Sequence, residues 1–314
     1  MDLTKHITPP TVAAIYAHYE ASRKDKHRPH LGGSQIGTEC ARALWYQFRH
    51  MDAPAFEGRT LRLFQTGDRE ESRLVENLRA VGVTVWDRDP DTGKQIRFTA
   101  CDGHFALSLD GVGEGFKESS QPHTLEFKTM NDKNFKVLEK DGLEKAKPIY
   151  WAQCQIGMHL SGLQRCAFIA VNKNDDSIYM ERVKYDAAVG IQLVAKAESI
   201  IFADKPPAKL NNDPSFFLCR FCDYKHVCHE GKPPLVNCRT CAHATPERGA
   251  DGAWGCAKGL PMQTPCKAHL FNPYAMPWDV RDASPDWVEY VTEEGEVIRN
   301  EGNSDEIAAG WVPF

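Results

Sequence analysis

GHFALSLDGVGEGFKESSQPHTLEFKTM, residues 103–130, is the stretch around which the chain is organised. It reads as two strands joined by a polar loop. Phe105, Leu107 and Leu109 alternate with Ala106, Ser108 and Asp110, the period of a half-buried strand. Gly111, Gly113, Gly115 and Pro122 mark the loop, and residues 124–129 form the second strand. Glu126 and Lys128 are two apart on that strand and therefore point to one face. If the strands pair, Asp110 lies beside them, and two carboxylates meet one ammonium.

That trio suits metal-assisted phosphodiester hydrolysis. Magnesium and manganese take hard oxygen ligands, typically one or two carboxylates with substrate phosphate filling other positions. The metal polarises the phosphoryl group and lowers the pKa of its water. A lysine beside it orients that water and offsets charge in the transition state. Asp, Glu and Lys on a hairpin also fit a merely solvated charged face, so the motif needs support from elsewhere in the chain.

The length of 314 residues allows roughly two domains. An apolar content of 42% with 26% charged residues is that of a globular protein that can bury a core. No apolar run approaches the roughly 18 residues of a membrane span. The opening MDLTKHITPPTVAA lacks a signal-peptide layout, so a cytoplasmic protein is expected. In that compartment thiols stay reduced, and 11 cysteines point to metal ligands or core residues rather than disulfides. The net charge of -5 is uneven: residues 276–314 carry -8, leaving +3 on residues 1–275. A mildly basic body is compatible with a nucleic-acid substrate.

Residues 10–22 read as a helix, followed by the basic run Arg23, Lys24, Lys26 and Arg28, a solvated face or a phosphate contact. Ser34 is expected to cap a helix through SQIGTECARALWYQFRH, and Thr66 to open one that stops at Gly82. Strands follow at 83–86 and 94–99. Beyond the central stretch come a helix from Pro148 to the stop at Gly162, paired strands at 164–172 and 177–184, and a helix at 186–203. The order is that of a mixed α/β core. No GxxxxGK occurs, which argues against ATP-driven translocation by this chain.

Two cysteine clusters follow. Cys219-x2-Cys222-x5-Cys228 calls for zinc or iron–sulfur but is one thiolate short of four. Cys238-x2-Cys241-x14-Cys256-x9-Cys266 is complete, and its two pairs around a glycine-rich turn resemble a zinc ribbon, with His243 and His269 as spare donors and a second iron–sulfur cluster as the alternative. A module so poor in aliphatic residues depends on metal to fold. For the missing fourth ligand Cys40, Cys101, Cys154 and Cys166 remain. The last three lie in or beside expected core elements, whereas Cys40 sits in TECARALWY, ahead of the core.

This layout resembles the RecB-type branch of the PD-(D/E)XK nucleases, and within it the iron–sulfur exonucleases of CRISPR adaptation, helicase–nucleases and bacteriophages. The matching residues are Cys40-Ala41-Arg42-Ala43-Leu44-Trp45, then Gly67 with Glu71, Asp110 in LDGVGE, Glu126 and Lys128 in LEFK, Gln153, and Cys219, Cys222 and Cys228. Gly157 stands where that family usually has Tyr after the Gln. The resemblance covers about residues 31–230. It implies a restriction-endonuclease-like mixed sheet flanked by helices. It further implies a four-iron, four-sulfur cluster on Cys40, Cys219, Cys222 and Cys228, and DNA cleavage with Mg²⁺ or Mn²⁺ held by Asp110, Glu126 and Glu71. The expected organisation is a segment 1–60 carrying one cluster ligand, a nuclease core 61–210, a cysteine segment 211–232, a zinc-ribbon-like module 233–275 and an acidic hairpin and tail 276–314.

The function expected is that of a DNA exonuclease in phage or bacterial recombination, repair or replication. The alternative is a non-catalytic nucleic-acid- or partner-binding protein that keeps the fold. A redox carrier has no flavin or dinucleotide fingerprint to support it. WVEYVTEEGEVIRN, residues 287–300, reads as a hairpin anchored by Trp287, Tyr290 and Val297. The terminal SDEIAAGWVPF loosely resembles the acidic, Pro-Phe-ended tails of bacterial single-strand-binding proteins. It is either a solvated appendage or a docking tail for a recombinase, helicase or single-strand-binding partner.

Overall fold

The computed structural model describes residues 8–23, 27–53 and 55–310. Lys24 and Lys26 of the basic run and the terminal Pro313-Phe314 lie outside them. In chain order the first part comprises α1 (Pro10–Ser22), β1 (Leu31–Gly32), α2 (Ala41–Phe48), α3 (Gly58–Ala80), β2 (Thr84–Trp86), β3 (Arg97–Ala100), β4 (Phe105–Ser108) and β5 (Gly111–Glu114). Next come β6 (His123–Met130), α4 (Asp132–Ala146), α5 (Pro148–Ser161), β7 (Arg165–Asn172), β8 (Ile178–Lys184) and α6 (Ala187–Ile201). The cysteine-rich part holds α7 (Phe217–Arg220), α8 (Lys225–His229), β9 (Ala244–Pro246) and β10 (Trp254–Cys256). The acidic end holds β11 (Asp279–Ser284), β12 (Trp287–Val291), β13 (Val297–Asn300) and α9 (Ser304–Ala309).

The main sheet runs β2-β5-β6-β7-β8. β6 and β7 are parallel, from Thr124 opposite Cys166 to Met130 opposite Asn172, and the other pairs are antiparallel. A parallel pair needs a crossover, which α4 and α5 supply. β6 and β7 are buried along nearly their whole length because helices cover both faces. On one face Leu74 and Val75 of α3 pack with Leu125, Phe127, Ile169 and Val171. On the other, Phe135, Leu138 and Leu143 of α4 and Met158 of α5 pack with Phe168. The expected mixed α/β architecture is therefore what forms.

Local signals set several boundaries. Pro148 opens α5 and Gly162, at φ 77°, closes it in the left-handed conformation that glycine tolerates. Asp186 caps α6 by accepting from Ala188 N and Val189 N. α4 kinks at Gly142, where Leu143 N donates to Glu181 Oε2 at 2.8 Å instead of to a helical carbonyl.

Three expectations are corrected. The strands at either end of 103–130 do not pair: β4 belongs to a separate sheet, β1-β4-β3, and the partner of β6 is β5, which uses the glycines assigned to a loop. Those glycines serve close approach. A Cβ at Gly111 would stand 2.9 Å from Trp86 O, and one at Gly113 would stand 2.9 Å from the Phe116 ring.

Second, Ser34 caps no long helix. Residues 33–35 make one 3-10 turn, and α2 starts at Ala41 with Cys40 as its cap residue. Gly37 is wedged against α5, where a Cβ would lie 2.8 Å from Ile149 and from Ala152. Lys196 Nζ takes the carbonyls of Ile36 and Thr38, at 2.9 and 2.6 Å, that a continuing helix would have used. Third, α3 begins at Gly58, well before Thr66, because Glu20 of α1 accepts from Gly58 N at 2.6 Å. That cap comes from across the fold.

The 287–300 hairpin forms as β12 and β13, turning at Gly295 with φ 84°, and β11 adds a third strand. Tyr290 is buried and Trp287 lies under Arg299 at 4.2 Å, but Val297 is exposed and anchors nothing. The chain beyond is no loose appendage as far as residue 310. Ser304 is buried, its Oγ donating to His269 O at 3.0 Å and meeting His269 Nδ1 at 2.7 Å. Among the described residues no helix is long and apolar enough to cross a membrane.

Candidate active site

Asp110, Glu126 and Lys128 do meet, although by a different route from the one expected. Asp110 sits where the chain leaves β4's sheet for the main sheet, and its Oδ2 accepts from Phe127 N of β6 at 2.7 Å. Glu126 is buried, with Oε1 ion-paired to Lys128 Nζ and Oε2 accepting from Gln153 Nε2 of α5 at 2.7 Å. Lys128 Nζ also donates to Phe127 O at 3.1 Å and lies 5.2 Å from the Tyr150 ring centroid. Asp110, Lys128 and Gln153, with Glu71 of α3, line a cleft of about 810 Å³, and Glu126 lies buried behind Lys128 and Gln153. Gly67 lies in the same wall, where a Cβ would meet nothing.

The electrostatics show carboxylates crowded with too little positive charge. Burial pushes Glu126 up to about 8, against the pull of Lys128 and with the help of Asp110 and Glu71. Burial also raises Glu71 to about 7, with Asp110 and Asp68 adding to it. Asp110 is raised by burial, opposed by Lys128 and the Phe127 N–H. Burial works against the Lys128 ammonium, but Glu126 and Asp110 outweigh it and its pKa rises. A divalent cation is the kind of group that relieves such a cluster. Among the described residues, however, no three His, Cys, Asp or Glu side chains are arranged to hold a metal ion as they stand. At the carboxylates, Lys128, Gln153 and the Phe127 N–H occupy oxygens that a cation would compete for.

Tyr150 and His30 of this cleft are not singled out by the sequence, and Arg28 reads there as a solvated face or a phosphate contact. Tyr150 shares its helix face with Gln153, three residues on, a spacing that was legible. Arg28, of the basic run, and His30 line the same cleft. Burial, with Arg97, Arg28 and Arg239, lowers His30 to about 4. Gln153 lines the cleft and holds Glu126 Oε2, so Gln153→Ala should leave the fold intact and cut turnover by about ten- to a hundredfold, the range for partners that orient a ligand. Steady-state assays beside a melting curve check it.

The cysteines also gather. Cys40, Cys219, Cys222 and Cys228 line one cavity of about 20 Å³ between α2 and the α7–α8 segment. Burial raises the Cys222 and Cys228 thiols, and Cys40 is close enough to both to add to the effect. Cys154 and Cys166 are core residues and Cys101 is half-buried, reaching Val194 O at 4.0 Å. Cys238, Cys241, Cys256 and Cys266 line a second cavity of about 20 Å³ with His243 and His269. His269 spends both ring nitrogens on Ser304 Oγ and Asn237 O, so it is no spare donor. His243 Nε2 is buried without a partner and is the spare that remains.

No family model matches the chain, and neither does any curated protein. Among solved structures it is similar to LHK-Exo in complex with dAMP (TM-score 0.40, 16% identity, over 60% of this chain and 90% of that one). It is similar to the alkaline exonuclease LHK-Exo from Laribacter hongkongensis at a TM-score of 0.39 and 17% identity, over 59% of this chain and 90% of that one. SSO0001 matches with a TM-score of 0.41 and 14% identity, over 69% of this chain and 92% of that one.

Proposed function

We propose that the chain is a metal-dependent DNA exonuclease that hydrolyses phosphodiester bonds. The observation that carries this reading is the convergence of Asp110, Lys128, Glu71 and Gln153 in one cleft, with buried Glu126 bonded to Lys128 and Gln153 directly behind it. Asp110 and Glu126 would hold Mg²⁺ or Mn²⁺, with Glu71 binding directly or through water. When bound, the ion would polarise the phosphoryl group and make water a better nucleophile. Gln153 orients Glu126. Lys128, with its ammonium form favoured, orients the attacking water and offsets charge on the phosphoryl oxygens. Tyr150 confines the Lys128 ammonium from one side.

A four-iron, four-sulfur cluster on Cys40, Cys219, Cys222 and Cys228 suits this donor set. Four thiols line one cavity there, and a cubane holds its thiolates farther apart than a single ion does. Zinc on Cys238, Cys241, Cys256 and Cys266 would be the corresponding assignment for the second group, whose four thiols line one cavity and would have to draw together to bind a single ion. Both groups would be structural.

Anaerobic purification with iron, sulfide and zinc analysis, followed by digestion of labelled DNA with Mn²⁺ and with chelator, tests the whole reading. Manganese-dependent release of nucleotides supports it. A metal-replete protein that binds DNA and never cuts it would instead be the non-catalytic binder.

For partner docking, removal of 311–314 is the clean experiment, because cutting at 304 would take away the Ser304 contacts to His269. The short truncation should leave zinc content and cutting of naked DNA unchanged and weaken co-purification of a recombinase, helicase or single-strand-binding partner. Retention of every partner at full strength would sink the docking tail.

A further inference from the structure

The second cysteine module has no part in the chemistry above, yet it grips the wall of the cleft. Arg239 lies between Cys238 and Cys241, and its guanidinium leaves the module. Nη2 donates to Pro29 O at 2.7 Å and Nη1 to Phe48 O at 3.0 Å. The guanidinium carbon lies 4.7 Å from the Trp254 ring centroid in the module and 5.5 Å from that of Phe48 in α2. His50 Nε2, 3.3 Å from Arg239 Nη1, is 3.0 Å from Arg28 O. Asn237 Nδ2 in turn holds His50 O at 3.0 Å. Pro29 O is thus held directly by the module, and Arg28 O is met by His50, whose own carbonyl the module holds.

The side chains on either side of Pro29 line the cleft. Arg28 Nη1 reaches Ser34 Oγ at 3.3 Å and lies against Gly32, where a Cβ would stand 2.9 Å from it. Among the described residues Arg28 pairs with no carboxylate. His30 Nδ1 accepts from Arg97 Nη2 at 3.2 Å. β1, which follows, is only two residues long and is too short to fix this segment alone.

We propose that Arg239 is a positioning residue: through the backbone of Pro29 it holds the neighbouring Arg28 guanidinium on the cleft wall, where it meets a phosphate of the nucleic-acid strand. The module is then a clamp on substrate binding. The ligand class rests on the nuclease reading, whereas the clamp itself does not. A charged hydrogen bond to phosphate depends on the donor's placement, and a freed segment spreads Arg28 over many positions.

The test uses Arg239→Met, which keeps an apolar stem on Trp254 and removes the donors. Hydrogen exchange at residues 28–34 should rise in this variant, with the β6–β7 amides unchanged. Affinity for a fluorescein-labelled DNA duplex in chelator should fall by about tenfold, and Arg28→Ala should match it. In the double variant the losses should not add, because both remove one interaction. With Mn²⁺ the loss should appear in KM, with kcat at saturation retained. Should Arg239→Met disrupt the module, Gly32→Ala displaces Arg28 without touching it and should give the same loss of affinity. Unchanged exchange at 28–34 would overturn the clamp whatever the DNA result, and additive losses would overturn the route through Arg28. Faster exchange with no duplex binding by the parent protein would sink the nuclease reading and the phosphate role together.

Discussion

Asp110→Asn should lower DNA cleavage by about a thousandfold, the scale for losing a group that acts directly on the transition state, while the fold and the metal content match those of the parent protein. Asparagine retains an oxygen for the Phe127 N–H, which Asp110 Oδ2 now accepts at 2.7 Å, so β5 and β6 keep their junction. What is lost is one negative charge in a cluster whose ionisation is already suppressed by burial. Lys128→Ala should be equally inactive but less stable. It removes the cation beside buried Glu126, which then takes up a proton or stays as an unpaired charge. Asp110→Asn is therefore the cleaner probe of chemistry. The measurement is the rate of nucleotide release with Mn²⁺, beside a thermal melt. Cleavage by Asp110→Asn at the parental rate would mean that the chemistry lies elsewhere.

Cys40→Ala should abolish the brown iron–sulfur chromophore as fully as Cys222→Ala does, though the two residues are far apart in sequence. The cluster would close a loop of about 180 residues, and a cross-link of that span restricts the unfolded chain by on the order of 5 kcal/mol. For a domain of this size the melting temperature should then fall by roughly 10 °C. The variant should still fold, because other contacts bridge the same elements. Lys232 Nζ pairs with Asp52 at 3.0 Å, Leu235 N donates to Met51 O at 2.8 Å, and Tyr46 and Tyr224 have ring centroids 5.8 Å apart. Proteolysis should be faster in both variants. A Cys40→Ala protein with full iron and sulfide would place the fourth ligand elsewhere.

Much of this was legible in the chain itself, wherever a local rule acts alone. The α5 boundaries follow from Pro148 and Gly162, and the β7–β8 pair from two strand-like runs around the polar turn NKNDD. Glu126 and Lys128 share a face because a strand has period two, and no tertiary contact alters that. The gathering of Cys40 with Cys219, Cys222 and Cys228 was reached through family resemblance, since spacing alone left four candidates for the fourth thiol.

Tertiary structure decided what depends on groups distant in sequence. The glycines of 111–115 look like loop residues, because only the approach of Trp86 and Phe116 makes a side chain there impossible. α3 starts at Gly58 because Glu20, on another helix, caps it, and the helix expected from Ser34 is interrupted because Lys196 takes its carbonyls. The basic wall of the cleft depends on the same kind of contact. Arg28 was one residue in a charged run until the backbone of Pro29 was seen to be held by Arg239, 210 positions away. Periodicity and capping are short-range physics that a sequence displays. Hydrogen bonds and close packing between distant segments are set only when the chain has collapsed, and they determine where Arg28 stands relative to Asp110.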